Sequence, residues 1–341
     1  MREAPKDWRL SCRRDNSQRA CPLVTASLVL SVGFWSDQVV NGLTIGSLYA
    51  LIALGYTMVY GVLKMINFAH GEVFMLGSFA GYGVLVGLGG NDISGPMVAL
   101  ALFVALLGAM CASAGTSVIV ERIAYRPLRN APRLAPLISA IGVSILLQSL
   151  VIDQTSGRAR FYPQIFPRGQ FKAGPFDITY IQVFLIASSV VMMLFLFFII
   201  QRTRVGRSIR AVAENQTNAA LMGVDVNRTI MTVFILGAAM AGVAGVLHGL
   251  FFQSIRGSMG FLPGIKAFTA AVLGGIGSIP GAVLGGYTLG MAETVGRELL
   301  NLLPGVNLGN QWRDVIAFTL LVSILLFRPT GIFAERSTKR A

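Results

Sequence analysis

The 341-residue chain is poor in the side chains that usually carry catalysis or hold metal, with two histidines, three cysteines and 15 acidic residues. Cys12, Cys21 and Cys111 show no CxxC spacing, and Cys111 lies inside an apolar run, so neither a disulfide framework nor a zinc site fits. No G-x-x-x-x-G-K-[ST] phosphate loop occurs. The nearest Gly-rich stretch, 274–281, carries Pro280 where a dinucleotide fingerprint needs its third glycine. No Ser–His–Asp set or pair of carboxylates suggests a reaction centre. The expectation is a chain that is not an enzyme, hydrolyses no ATP itself and needs no cofactor.

Charge is scarce as well: 13% of residues are charged against 54% hydrophobic, with a mean hydropathy of +0.67. That is the composition of a polytopic membrane protein, not of the two soluble domains its length would allow. Glycine is abundant, at 39, which suits helices that must approach closely inside lipid. A net charge of +13 could suggest nucleic acid, but the 28 Lys and Arg sit mostly in loops that abut apolar runs. There they set orientation and do not bind phosphate, so the bilayer is the expected environment and nucleic acid is not an expected partner.

Basic loops resist translocation, and four segments read as inside on that ground: 1–19, 121–133, 201–228 and 328–341 hold 19 of the 28 basic residues. Between them run apolar stretches at 20–36, 39–63, 66–88, 96–120, 134–152, 180–200, 229–252, 264–297 and 311–327. The first is short for a span. The basic tail falls inside only if GGIGSIPG at 274–281 breaks 264–297 into two helices or a re-entrant hairpin. The expected fold is all-α: a polytopic membrane helical bundle of about eight to ten segments, broken by Gly and Pro near 264–297.

The longest inside interval between spans, 201–228, reads as a short amphipathic helix, with Ile209, Val212, Ala213, Ala220 and Leu221 on its apolar face and Gly223 ending it. A solvated basic loop is the other reading of the same composition. Asn67, His70 and Glu72 in NFAHGE lie near a span end, where ionisable groups are functional candidates by default. His70 would titrate near neutrality, or Glu72 would pair with Lys64. The blander reading makes NFAHGE a helix start, with Asn67 capping and Glu72 favoured by the dipole. His248 and Glu293 are similar cases, better read as packed polar residues. Asn41, Thr44 and Ser47 share a helix face and read first as interhelical glue, second as a pathway lining.

RAVAEN followed by AALMGVDVNR in 210–228, NGLTIGSLYALIALGYTMVYGVLKMINFAHGE at 41–72 and GIKAFTAAVLGGIGSIPGA at 264–282 resemble three hallmarks of ABC-transporter permeases of the branched-chain amino acid class, the LivH type. The likeness runs across most of 38–333; residues 1–37 lie outside it, as an atypical basic extension with a possible short span, and 334–341 form a basic tail. It implies a multi-pass permease of the bacterial inner membrane. The implied partners are a second homologous permease, two cytoplasmic ABC ATPases and a periplasmic substrate-binding protein. Arg207, Arg210, Glu214, Asn215 and Gly223 become the expected ATPase-coupling residues. Asn41, Ser47, Asn67, His70, Glu72, Gly275 and Gly277 become the expected pathway set. Urea or short amides are the alternative solutes, and an ATPase-independent channel or secondary transporter is the more distant alternative.

Overall fold

The longest helix, α1 (Val32–Leu63), is also the most enclosed of the candidate spans, with 94% of its apolar 18-residue stretch buried inside the protein. Small residues along it let its neighbours come close. Helix α10 (Ile279–Asn301) lies antiparallel to it, with Gly286 pressed on the backbone of Ala50 and Gly290 on the backbone of Gly46. On another side, Gly55 meets Gly237 of α8 (Val226–Phe252). In lipid no hydrophobic force draws helices together, so contact at this range is what holds them.

The computed structural model describes residues 32–332 apart from 94, 130, 133, 167–168, 174–175, 303–308, 310 and 329–330. After α1 come α2 (His70–Gly87), α3 (Met97–Val120, prolonged by a π turn to Tyr125), α4 (Leu134–Thr155) and α5 (Tyr180–Arg202). Two short helices follow, α6 (Arg204–Glu214) and α7 (Gln216–Leu221), then α8, α9 (Phe261–Gly274), α10 and α11 (Trp312–Phe327). Among the described residues, five helices, α1, α3, α4, α5 and α8, are long and apolar enough to cross a membrane. The pair α9 and α10 meets the same measure jointly, bent by 120°.

Helices α3, α4 and α5 form the periphery and expose large apolar side chains such as Phe103, Ile138, Ile145, Leu194 and Phe198. A soluble protein does not present such a surface; a lipid-facing one does. One end of the bundle is basic. Gln216 Nε2 donates to the Val62 carbonyl at 3.1 Å, and Arg129 Nη1 donates to Asn227 Oδ1 at 2.7 Å. At the opposite end β1 (Arg160–Phe161) pairs antiparallel with β4 (Ser254–Ile255), beside a hairpin of β2 (Gln170–Ala173) and β3 (Phe176–Thr179).

The break expected at 274–281 is present, and its chemistry is local. Gly275 and Gly277 both have φ of +101°, a region that only glycine adopts without strain. Ser278 then caps α10 by accepting from the Gly281 amide at 3.2 Å, with Pro280 in the first turn. The turn lies at the basic end, where Gly61 approaches Gly277 and the Ile332 amide donates to the Leu273 carbonyl at 2.9 Å. So α10 returns to the opposite end and α11 brings Arg328 back to the basic one, as the tail's charge requires.

One boundary differs from the sequence reading. The gap placed between residues 36 and 39 is absent, because residues 32–36 belong to the start of α1, which continues without a break through Leu63. Residues 20–31 lie outside the described part. Asp37 and Gln38 suggest an interruption, but two polar residues do not stop a helix that contains no Gly–Pro signal at that point.

Candidate functional site

Two features stand out: the helix pair α6–α7 at the basic end, and a charged cleft in the half of the bundle facing the other end.

Helix α6 turns sharply off α5. Thr203 caps it by accepting from the Gly206 amide at 3.2 Å, and Gly206 sits against the Ile199 and Ile200 carbonyls, where any Cβ would collide. The Arg210 guanidinium donates to the Ile200 carbonyl, tying α6 to the end of α5. Ile209, Val212 and Ala219 face the body, while Arg207, Arg210, Glu214, Asn215 and Gly223 are exposed. Asn215 is extended (φ −156°), and its side chain accepts from the Asn218 amide at 3.0 Å to start α7.

The single amphipathic helix expected over this stretch is therefore two helices. The reason is Asn215, whose side chain offers the backbone a competing bond and begins a new helix. The break turns α7, so Ala220 and Leu221 leave the buried face; Leu221 is 82% and Met222 84% exposed. Gly223 ends α7 as expected: at φ +82° its amide donates to Ala220 and the Val224 amide to Ala219, the paired bonds of a Schellman cap. Replacing Asn215 with alanine should weaken α7 by about 1 kcal/mol, read as faster amide exchange over 217–222.

The charged cleft centres on Lys266 of α9. Its ammonium lies 3.0 Å from Glu293 Oε1 of α10, 2.6 Å from Asp314 Oδ1 of α11 and 5.8 Å from the centroid of the Tyr49 ring. Tyr49 of α1 donates to Glu293 Oε2 at 3.0 Å. Four helices are joined at one point. Above it opens a cleft of about 340 Å³ lined by Ile45, Leu48, Ile52, His248, Arg256 and Leu262, among others.

The polar residues expected near the pathway are dispersed. His70 stacks edge-on against Tyr56 and covers Gly55, eight residues before the end of α1, so α2 begins about 12 Å inside the bundle. Asn67 does not cap α2, whose N-cap is Ala69; its Oδ1 accepts from the Tyr125 hydroxyl at 2.9 Å. Glu72 does lie in the first turn. It takes no Lys64 partner: Ser144 donates to it at 3.3 Å, and its other oxygen rests against Gly260 at the start of α9. A carboxylate there is favoured by the dipole of α9. Asn41 accepts from Gln182 at 2.9 Å and Ser47 donates to the Tyr287 hydroxyl at 3.3 Å, both bonds between helices. The helix starts that lie inside the bundle are those of α2 and α9, whereas Gly275 and Gly277 lie at its basic end.

The family described as branched-chain amino acid transport system / permease component matches residues 38–325. The chain belongs to that family. The BraD high-affinity branched-chain amino acid transport system permease protein of Pseudomonas aeruginosa is 46% identical over 89% of this chain and 97% of its own. LivH of Escherichia coli is 44% identical over 90% and 98%, and the probable LivH of Methanocaldococcus jannaschii 29% over 84% and 88%. Among solved structures, PsaBC from Streptococcus pneumoniae in complex with Fab aligns with a TM-score of 0.46 at 12% identity, covering 91% of this chain and 96% of that one. An inward-facing metal-chelate type ABC transporter aligns at 0.47 and 14%, covering 91% of each.

Within this permease fold the sequence reading missed Tyr49, Lys266 and Asp314, and took Glu293 as a packing residue. The available signal was the lone cation in FLPGIKAFTAAVLGG. An intramembrane lysine implies a carboxylate partner, and Glu293 and Asp314 stand in the next two apolar segments.

Proposed function

We propose that the chain is the membrane permease subunit of an ABC importer for branched-chain amino acids, leucine, isoleucine, valine or close relatives. Separate ATPase subunits drive it, since its sequence holds no phosphate loop of its own. The basic end faces the cytoplasm of a bacterium and the bilayer is the inner membrane, as the arginine-rich loops favour. Two ATPases, a second homologous permease and a periplasmic binding protein complete the machine. Residues 38–333 form the permease domain, 1–37 a basic extension and 334–341 a basic tail.

The observation that carries this reading is the α6–α7 pair. It holds Leu221 and Met222 exposed at the basic end, and exposed apolar side chains outside lipid call for a protein partner. Its roots are the Arg210–Ile200 and Gln216–Val62 bonds, one on α5 and one on the central helix α1. A push on the tip is thus passed to two spans. Arg207, Arg210, Glu214, Asn215 and Gly223 shape or charge that lever. Beside it a cleft of about 540 Å³ lined by Lys64, Arg126, Arg129 and Gln216 presents positive charge to the same side.

The test is uptake by a strain lacking its own branched-chain importers and supplied with this permease, its permease partner, its ATPases and its binding protein. Leucine should accumulate only when the ATPases are active. Uptake of urea or acetamide but not leucine would overturn the solute assignment, and flux with inactive ATPases would overturn the importer reading.

A further inference from the structure

We propose that the cleft over Lys266 is a binding site for the zwitterion of an aliphatic amino acid, with its carboxylate on Lys266 and Arg256 and its ammonium on Asp314. The proposal rests on the solute class argued above and gives it a place in this chain.

The two carboxylates that hold Lys266 are not equivalent. Glu293 is 1% exposed on its side chain and is also held by Tyr49, whereas the Asp314 side chain is 39% exposed and faces the cleft. Asp314 is therefore the partner that can be displaced. A zwitterion entering between Lys266 and Asp314 breaks one ion pair and replaces it with two, adding no net charge. Lys266 keeps Glu293 throughout, so no charge is stranded in the bundle. An isolated anion on Lys266 would leave Asp314 without its partner, and an isolated cation on Asp314 would add a net charge to the cluster while leaving Lys266 with Glu293 alone.

The walls fit the remainder of such a ligand. Ile45, Leu48 and Ile52 of α1 form one side and Leu262 another, giving an aliphatic surface beside the charges. Arg256, exposed at the open side, adds a second cation for a carboxylate. His248 lines the same space against the Phe74 and Phe252 rings, and its Nδ1 is buried with no hydrogen-bond partner among the described residues. A buried orphan of this kind is stabilised by an acceptor or donor arriving from outside. Few polar groups converging on apolar walls are the usual make-up of a small-ligand site, and the volume is at the small end of the range of about 300–1,000 Å³. A purely structural ion cluster needs no such opening.

The experiment uses the assembled importer in proteoliposomes, with the three cysteines replaced by serine and Ser258→Cys as an exposed reporter beside the cleft. Leucine should slow labelling of that thiol by a methanethiosulfonate reagent at least fivefold. Neither 4-methylpentanoate, which lacks the ammonium, nor 3-methylbutylamine, which lacks the carboxylate, should do so. Asp314→Asn should abolish the leucine effect and Asp314→Glu should retain it, a distinction a packing role does not make. ATP-driven leucine uptake is measured in the same vesicles. Uptake without protection overturns the cleft proposal alone. Protection without uptake supports the cleft and overturns the importer reading, and the absence of both overturns the two together. Equal protection by the amine or the acid overturns the zwitterion assignment.

Discussion

Replacing Lys266 with methionine should destabilise the permease by about 3–5 kcal/mol, the usual cost of removing one partner of a buried ion pair. Methionine fills the lysine stem's volume, so the loss comes from charge and not from a cavity. Glu293, with a side chain 1% exposed, would keep the Tyr49 hydroxyl as its hydrogen-bond donor among the described residues but lose its ion-pair partner. The effect reaches four helices, because α1, α9, α10 and α11 meet at this point. Detergent-purified protein should unfold at a markedly lower temperature or denaturant concentration. Adding Glu293→Gln to Lys266→Met should recover much of the loss, because an amide buried beside Tyr49 is far less costly than an unpaired carboxylate. A double replacement no more stable than the single one would show that the pair is not the source of the effect.

The second large effect is expected at the tip of the lever. Converting both Leu221 and Met222 to aspartate places two charges where an apolar contact with the ATPase is proposed. Interface centres of this type contribute about 2 kcal/mol or more per residue, roughly thirtyfold in affinity. Uptake should fall by at least that factor, while the chain inserts normally, since both side chains are exposed and support nothing inside the bundle. Replacing Arg210 and Glu214 together should act differently. It frees the root of α6 from Ile200, so ATP hydrolysis continues while uptake per ATP drops. Normal uptake in both variants would remove the coupling role from this loop.

The legible and illegible parts of the sequence differ for physical reasons. Apolar length and basic loops reveal the spans, and the fate of 274–281 follows from parity plus the backbone freedom of Gly275 and Gly277. Gly223 was readable because a helix end has a local cause. The division of 201–228 into two helices was not read, although Asn215 is a residue of the capping type, since side-chain capping competes closely with helix continuation. The continuity of α1 through Asp37 was hidden by the same ambiguity of single polar residues. Hardest to see was the Lys266 cluster: its members lie 217, 27 and 21 residues from one another's segments along the chain, from Tyr49 through Lys266 and Glu293 to Asp314. Only packing brings them together, and packing across Gly46, Gly286 and Gly290 is a property of the folded bundle. Asn67, a cap by position, is instead claimed by Tyr125, a partner 58 residues away.

The most direct measurement places one thiol at Met222 in the cysteine-free permease, assembled with its ATPases in inverted and right-side-out vesicles. Met222→Cys should form a cross-link to an ATPase subunit, and its yield should change when ATP is bound and when it is hydrolysed. Reaction with a membrane-impermeant reagent should occur from the ATPase side alone. A thiol labelled only from the opposite face, or one whose cross-linking ignores nucleotide, would contradict the claim that ATP-driven movement enters this protein through α6 and α7.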